Sequence, residues 1–330
     1  MRLILSCALG LMTVSLPQSA SQGPGVRNAH AMVFDARRGE TVLFGGADAS
    51  AVRGDTWLWH AHEWRDLAIV GPEPRTFPGF AWDATRHEAV LFGGRRVLFG
   101  PDKATNTVLS DTWVLRDYTW QRRQVSNAPP PRAEASMAFD AGRGVTVLFG
   151  GYTDVQQRTR LGDTWEWDGQ AWSLRAQTGP DPRNGAALAY DPTQRRVVLF
   201  GGSGGPRDDT WTWDGQQWRR VATPPTPGRY NSLAAYDSRR KRIIRTTGWD
   251  GSGRVRETWL FETPMWRLVS SAGPSPRNHS AIAFDERSGR LVLHGGHDGE
   301  LVFGDTWEWD GRRWSLRQAV EPQRRVDNGH

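Results

Sequence analysis

A short apolar run that ends in two glycines recurs along the chain. In its clearest copy it reads Val-Leu-Phe-Gly-Gly over 147–151, and Asp-Thr-Trp-Glu-Trp-Asp-Gly follows over 163–169. The unbroken apolar run predicts a strand buried on both faces. The alternation of Trp165, Glu166 and Trp167 predicts a second strand. Asp168-Gly169 predicts a two-residue hairpin turn, after which Trp172 begins a return strand.

Six copies of this pattern fill the chain. Each has an opening arginine, an aspartate eight residues later, the apolar run with its glycines, an Asp-Thr-Trp segment and a closing tryptophan. The opening arginines are spaced 48, 57, 51, 46 and 48 residues apart: Arg27, Arg75, Arg132, Arg183, Arg229 and Arg277. The fifth copy departs most, because Arg245-Thr246-Thr247-Gly248 replaces Leu-Phe-Gly-Gly and Glu257 replaces the aspartate. A repeat of this length indicates a repeat architecture.

Each copy predicts four antiparallel strands, with the aspartate opening the first turn by accepting backbone N–H groups. Six such sheets, covered on both faces, predict an all-β fold, a six-bladed β-propeller. A solenoid is the alternative, but a solenoid needs terminal repeats with altered outer faces, and the sequence shows no such repeats. The expected blades are 24–71, 72–128, 129–179, 180–225, 226–273 and 274–321. The arginines and the Asp-Thr-Trp aspartates recur in nearly every copy, so we expect them to be structural.

The chain ends suggest secretion and a closed ring. Residues 1–20 resemble a secretory signal peptide, with Arg2, an apolar stretch and small residues near Ala20. We therefore expect a secreted or periplasmic protein with no integral membrane span after cleavage. Cys7 lies inside this segment, so the mature chain should lack thiol chemistry. Pro-x-x-Arg opens five of the six copies and recurs a sixth time at Pro322, where the C-terminus returns to the start of the repeat. We see no spare strand that would join the ends of the ring, so removal of 321–330 should cost little stability.

Charge and metal-ligand patterns exclude several classes of function. The net charge is +6, but the arginines are dispersed among acidic residues, so we expect no nucleic-acid partner. His294-Gly-Gly-His297-Asp298 lacks the spacing of a metal site, and His294 occupies a core position of the repeat. We expect no metal, no cofactor and a monomer.

The glycine pair after an apolar strand, the later aromatic residue and the closing tryptophan resemble the kelch repeat. The resemblance covers essentially the whole mature chain. Kelch proteins include peptide-binding scaffolds, copper radical oxidases and a periplasmic sialic acid mutarotase. The copper radical oxidases of the galactose-oxidase type need a cysteine crosslinked to a tyrosine. The expected mature chain has no cysteine, which excludes copper radical chemistry of that kind.

The resemblance also implies a ligand site at one mouth of the ring. The mouth residues would follow the opening arginine and the glycine pair, and these positions differ from blade to blade. The resulting candidates are Asn28, Arg95, Arg96, Glu134, Tyr152, Asp154, Asn184, Tyr230, Trp249, Asp250, Asn278, His279, His297 and Asp298. Trp249 is the candidate stacking platform, and Glu134 is the candidate acid–base residue. The loop of blade two, predicted from Arg95 to Ser110, would form a wall beside the mouth.

Three functions remain open at this stage. We expect a binding module that recognises a glycan or a protein at the mouth. The first alternative is a sugar-acting enzyme of the sialic acid mutarotase type at the same mouth, where Glu134 would act with nearby arginine and histidine. The second is an envelope-associated structural protein that uses its outer blade faces. We expect binding rather than catalysis, because the fold alone does not specify chemistry.

Overall fold

The computed structural model describes residues 23–96, 106–154, 156, 159–203, 208–221 and 227–325. The expected signal peptide lies outside the described residues. Six antiparallel sheets make up the described chain, and in each the first four strands lie in chain order. The innermost strands of neighbouring sheets contact one another around a closed ring. The predicted all-β, six-bladed propeller is therefore confirmed.

The first strand of each blade lines the axis, and the second lies behind it. The axial strands are β1 (Ala31–Asp35), β5 (Gly79–Asp83), β9 (Ser136–Asp140), β13 (Ala187–Asp191), β17 (Leu233–Asp237) and β21 (Ala281–Asp285). The second strands are β2 (Glu40–Phe44), β6 (Glu88–Arg96), β10 (Val145–Phe149), β14 (Arg196–Phe200), β18 (Arg242–Thr246) and β22 (Arg290–His297). The second strands carry the apolar runs, and their core residues are buried on both faces.

The third and fourth strands form the outer half of each blade. The third strands are β3 (Thr56–His60), β7 (Thr107–Arg116), β11 (Thr164–Trp167), β15 (Thr210–Trp213), β19 (Thr258–Glu262) and β23 (Leu301–Trp309). The fourth strands are β4 (Glu63–Asp66), β8 (Thr119–Arg123), β12 (Trp172–Ala176), β16 (Trp218–Val221), β20 (Met265–Ser270) and β24 (Trp314–Gln318). A short strand, β25 (Gln323–Arg324), pairs with β23.

Two predicted connections are wrong. The loop after Trp167 has four residues, because Trp167 pairs directly with Trp172 and the Asp168 carboxylate accepts the N–H groups of Gln170 and Ala171. In blade two the predicted long loop is partly strand, since Arg95 and Arg96 resume the ladder to β7. The glycine pair before them forms a bulge instead of ending the strand.

The opening arginines clamp their own blades. In blade three, the buried Arg132 guanidinium donates to both oxygens of Asp163 at 2.7 and 2.8 Å, and to the Gly150 carbonyl at 3.0 Å. The same ion pair occurs in the other blades: Arg27–Asp55, Arg75–Asp111, Arg183–Asp209, Arg229–Glu257 and Arg277–Asp305. These contacts give the recurring charged residues the structural role that their repetition predicts.

The closing tryptophans join each blade to the preceding one. In blade four, Trp218 Nε1 donates to Thr164 Oγ1 at 2.8 Å. The equivalent pairs are Trp64–Thr306, Trp120–Thr56, Trp172–Thr112, Trp266–Thr210 and Trp314–Thr258. Because Trp64 belongs to the first blade and Thr306 to the last, the same bond also closes the ring.

The C-terminal tail stays within the last blade. β25 pairs with Leu301 and Val302, and the N–H of Arg325 donates to the Glu300 carbonyl at 2.7 Å. The tail thus supplies an additional strand that the sequence did not reveal. This strand belongs to the last blade and does not join the first blade. Backbone bonds of Arg27 to Phe303 and Gly296 span the join instead.

Among the described residues, no helix is long and apolar enough to cross a membrane.

Candidate functional site

Six residues, each two positions after an opening arginine, surround the axis at the mouth. These six form the axial ring: Ala29, Phe77, Glu134, Gly185, Asn231 and His279. All have φ between 50° and 60°, a left-handed conformation that bulky side chains rarely adopt. Five backbone hydrogen bonds of 2.7–3.1 Å run from the N–H of one member to the C=O of its predecessor. The ring therefore holds its shape through backbone bonds, and its side chains differ in every blade.

The two predicted sets of mouth residues meet within each blade. In blade five, Tyr230 and Trp249 exchange two backbone hydrogen bonds of 2.8 and 2.9 Å. Equivalent bridges pair Asn28 with Ala47, Thr76 with Arg95, Ala133 with Tyr152, and Asn278 with His297. The glycine before each bridge is required, since a Cβ on Gly151 would lie 2.8 Å from the Ala133 carbonyl. The repeat itself thus places both sets at one mouth.

The Glu134 carboxylate is the centre of this mouth. Glu134 is 7% exposed. Tyr230 donates its hydroxyl at 3.2 Å, Asn231 donates its amide at 3.4 Å, and Asn184 donates a third hydrogen bond. His279 Nε2 lies 3.4 Å from Oε1. These neighbours come from blades four, five and six, so closure of the ring brings them to a residue of blade three.

Glu134 is held as a carboxylate. Burial alone raises its pKa, but the hydrogen bond and charge of His279 and the amides of Asn184 and Asn231 outweigh burial and lower the pKa. Burial followed by the Glu134 charge raises the pKa of Tyr230 and of the fully buried Tyr152. Both phenols therefore remain protonated. Tyr152 is an interior residue of the mouth.

Two histidines extend the carboxylate into a chain of hydrogen-bonding groups. His279 Nδ1 and His297 Nε2 are 2.8 Å apart, so one of them carries the shared proton. Burial, then the charges of His279, Arg325 and Arg254, lower the pKa of His297 to about 2. His297 is therefore neutral near pH 7. We call Glu134, His279 and His297 the mouth relay.

Three half-buried arginines lie around the relay, and we call them the rim arginines: Arg95, Arg160 and Arg254. Arg160 Nε donates to Asn184 Oδ1 and Ser203 Oγ, both at 2.9 Å. Arg254 Nε donates to Asn278 Oδ1 at 3.1 Å. Arg95 lies beside Tyr152 and opposes the rise in its pKa. Each rim arginine thus adjoins a polar mouth residue.

The remaining candidates lie away from the relay or shape the loops. Asp154 accepts the N–H of Thr159, Asp250 accepts those of Ser252 and Gly253, and Asp298 accepts those of Glu300 and Leu301. Asn28 donates to the Ala47 carbonyl. Arg96 pairs with the exposed Glu73 at 3.2 Å. Trp249 is half-buried against Tyr230 and Arg254.

A cavity of about 140 Å³ opens at the axial ring. Its lining includes Phe77, His30, Glu134, Asn231 and His279. Burial, then the charges of His294 and Arg27, lower the pKa of His30, so its imidazole is neutral. Within the described residues, no three His, Cys, Asp or Glu side chains are grouped so as to hold a metal ion.

Sequence reasoning missed Arg160 and Arg254 as functional candidates. Phe77 was placed at the mouth by its offset, because it lies two residues after the opening arginine, as Glu134 and His279 do. Arg160 and Arg254 lie at the far ends of loops and return to bridge Tyr152 and Trp249. The loops of blades three and five differ in length, so no fixed spacing reveals this return.

Comparison with known proteins supports the class of fold. No family model matches the chain. The chain is similar to a solved structure of YjhT, with a TM-score of 0.69 over 90% of this chain and 99% of that one. The sequence identity is 14%, so this likeness shows the fold alone.

A shorter stretch is similar to a curated sequence. Ninety-eight residues, or 29% of this chain, are 36% identical to the dynein alpha chain of the flagellar outer arm of Chlamydomonas reinhardtii. The match spans 2% of the length of that dynein. The chain is thus a six-bladed β-propeller with a buried polar site at one mouth.

Proposed function

We propose that the mouth binds a carboxylated sugar. The observation that carries this proposal is the convergence of Asn184, Tyr230, Asn231 and His279 on Glu134 beside a small open cavity. Sugar hydroxyls both donate and accept hydrogen bonds, and this cluster offers a charged acceptor among several donors. The rim arginines supply the planar donors that suit a carboxylate.

The size of the cavity favours a sugar over a protein ligand. A volume of about 140 Å³ accepts part of one sugar ring, whereas protein–protein recognition uses an extended surface. Phe77 is half-buried at the cavity and presents an aromatic ring beside the polar side chains. An aromatic face opposite hydrogen-bonding groups suits a sugar, which has apolar C–H faces and polar edges.

The test is calorimetric titration with a hexose and with the matching uronic acid. We expect the uronic acid to bind more tightly. Glu134→Gln should weaken both sugars by about tenfold or more, because a charged hydrogen bond is worth roughly 1.5–3 kcal/mol. Arg160→Gln should weaken the uronic acid selectively. Arg96→Gln is the matched control, because Arg96 pairs with the exposed Glu73 and contacts no member of the mouth relay among the described residues. The absence of saturable binding to any acidic sugar would overturn the proposal.

The mouth relay favours a second candidate, an enzyme that interconverts sugar anomers. Glu134 as a carboxylate would take the proton of the anomeric hydroxyl, and protonated His279 would give a proton to the ring oxygen as its bond to the anomeric carbon breaks. The carbonyl so formed would close again on its other face, with both protons returned. The neutral His297 would orient His279 through the 2.8 Å contact.

Anomer exchange measured by NMR separates this candidate from binding alone. Catalysis predicts that Glu134→Gln abolishes exchange, and that His297→Gln lowers the rate and shifts its pH profile while sugar affinity is retained. Exchange at the uncatalysed rate, together with normal binding, would leave the protein as a binding module.

We also propose that the repeats are of the kelch type and that the protein acts outside the cytoplasm. The glycine bulges and closing tryptophans support the first statement, and the apolar stretch before Ala20 supports the second. N-terminal sequencing of secreted material tests the signal peptide. A mature chain that begins near Ala20 or Ser21 would support secretion, and one that begins at Met1 would contradict it.

A further inference from the structure

The axis ends in a second site on the face opposite the mouth. In every axial strand, the residue before the turn aspartate is aromatic. These six residues form the aromatic collar: Phe34, Trp82, Phe139, Tyr190, Tyr236 and Phe284. The residue before each of them is alanine in five blades and Val33 in the first. Large rings thus surround the exit, and small side chains leave space just inside it.

The collar lines a cavity of about 310 Å³. All six blades contribute to its wall, whose side chains are apolar except for the Glu286 carboxyl and the hydroxyls of Tyr190 and Tyr236. The Tyr190 hydroxyl accepts the N–H of Gly142 at 3.1 Å, and the Tyr236 hydroxyl lies 2.9 Å from Thr193 Oγ1. Both partners belong to the turn of the preceding blade. These two rings therefore lie along the channel wall, held by bonds that do not depend on a ligand.

A cavity with these properties is typical of a ligand site. Ligand sites are commonly 300–1,000 Å³ in volume and apolar, with a few polar groups that orient the ligand. The collar is part of the repeated framework, but Trp82, Phe139, Tyr190 and Tyr236 remain partly exposed. Framework tryptophans between the blades, such as Trp213, are in contrast fully buried. The collar thus keeps accessible apolar surface inside a preformed wall.

Cationic side chains lie in the turns next to the exit. Arg239 and Arg287 are exposed, and Arg239 donates a hydrogen bond to the Arg287 carbonyl, so the two turns adjoin. Glu286 also lines the cavity, and burial, then the charge of Asp285, raise its pKa. These adjoining turns therefore carry two exposed guanidinium groups and one carboxyl whose charged form is disfavoured. This balance favours an anionic group at the exit.

We propose that this end of the channel binds a fatty acid, with its alkyl chain inside the aromatic collar and its carboxylate near Arg239 and Arg287. The chain would replace water along the apolar wall, and each methylene buried contributes about 0.8 kcal/mol. This site is separate from the mouth and does not depend on the proposed sugar binding.

The test is calorimetric titration of the full chain with decanoate below its micellar concentration, alongside decyltrimethylammonium. We expect one decanoate per chain and weaker binding of the cation. Ala84→Trp obstructs the exit and Ala235→Phe fills the interior. Each should weaken decanoate by about tenfold or more, because either change displaces two or more methylenes. Thermal melting verifies that each variant folds.

Three further variants locate the carboxylate and the site. The double change Arg239→Gln and Arg287→Gln should remove the preference for decanoate over the cation, whereas Arg65→Gln on the outer strand β4 should not. Glu134→Gln at the mouth should leave decanoate binding unchanged. The proposal is overturned by absent saturable binding, by a preference for the cation, by folded obstructed variants that bind normally, or by loss of decanoate binding in Glu134→Gln.

Discussion

Arg245 occupies the position at which the other five blades carry leucine. It is 1% exposed, and its three guanidinium nitrogens form no hydrogen bond with the described residues. Its Cζ lies 3.9 Å from the centre of the Phe200 ring and 4.6 Å from that of Trp266. Burial, then the like charge of Arg229, lower the pKa of Arg245 well below its usual range. Cation–π contacts worth up to about 2 kcal/mol offset a burial cost of several kcal/mol only in part.

Arg245→Leu should therefore stabilise the protein. We expect the free energy of unfolding to rise by about 1–4 kcal/mol, as when buried ionic groups are replaced by apolar ones. Chemical denaturation measures the change. Arg220→Leu, on the exposed strand β16, removes the same charge and should alter stability by less than about 0.5 kcal/mol. Equal effects of the two substitutions would show that net charge, and not burial, causes the gain.

At the scale of the strand, the sequence predicted the order and burial of the blades but not the length of every strand. The second strands could be predicted from their apolar runs, because a strand buried on both faces needs consecutive apolar residues. The pattern predicts that a strand ends at Gly93-Gly94, yet both glycines have positive φ and form a bulge, after which Arg95 rejoins the ladder. Composition does not distinguish a glycine pair that ends a strand from one that bends it.

The candidate site was predictable only where the repeat fixes position. The pairing of Tyr230 with Trp249 follows from the repeat, because both flank framework residues. The contact of His279 with Glu134 does not. It depends on the axial ring, whose six members share a backbone conformation but no side-chain chemistry. Side chains from blades three and six meet across the axis, and no local pattern encodes that distance.

The contact between adjacent blades can be tested with two buried threonines of blade three. Thr164→Val removes the acceptor of the Trp218 indole and leaves a buried N–H without a partner. We expect a loss of about 1–3 kcal/mol in the free energy of unfolding. Thr146→Val is the control, because Thr146 is equally buried and its hydroxyl has no partner among the described residues. Thr146→Val should leave the free energy of unfolding unchanged or raise it. Similar losses from both substitutions would contradict a role for the indole hydrogen bond.

At the scale of the whole molecule, the ring closes with the same contacts that join any two blades. The Trp64–Thr306 bond and the backbone bonds of Arg27 span the join, whereas β25 adds only an exposed edge to the last blade. Closure therefore relies on packing and on these bonds, with no strand exchanged across the join in the described chain.

Deletion of residues 321–330 should cost little stability. The tail contributes a few exposed backbone bonds, each with a net value of about 0.5–1.5 kcal/mol at most. Differential scanning calorimetry should show a small shift in Tm. Thr306→Val, at the join itself, should lower Tm more, because it leaves the Trp64 indole without its acceptor. A tail deletion that lowers Tm further than Thr306→Val would place the closure in the tail.

The axial ring has a consequence for how such a protein can diversify. Its backbone bonds do not depend on which side chains the ring carries, so six positions can be exchanged without dismantling the scaffold. The left-handed conformation limits the choice, because β-branched residues are strained there whereas asparagine, aspartate, histidine and glycine are tolerated. The six positions thus favour a restricted set of residues, and a library of those residues at the axial ring would vary the chemistry of the mouth while the backbone ring stays intact.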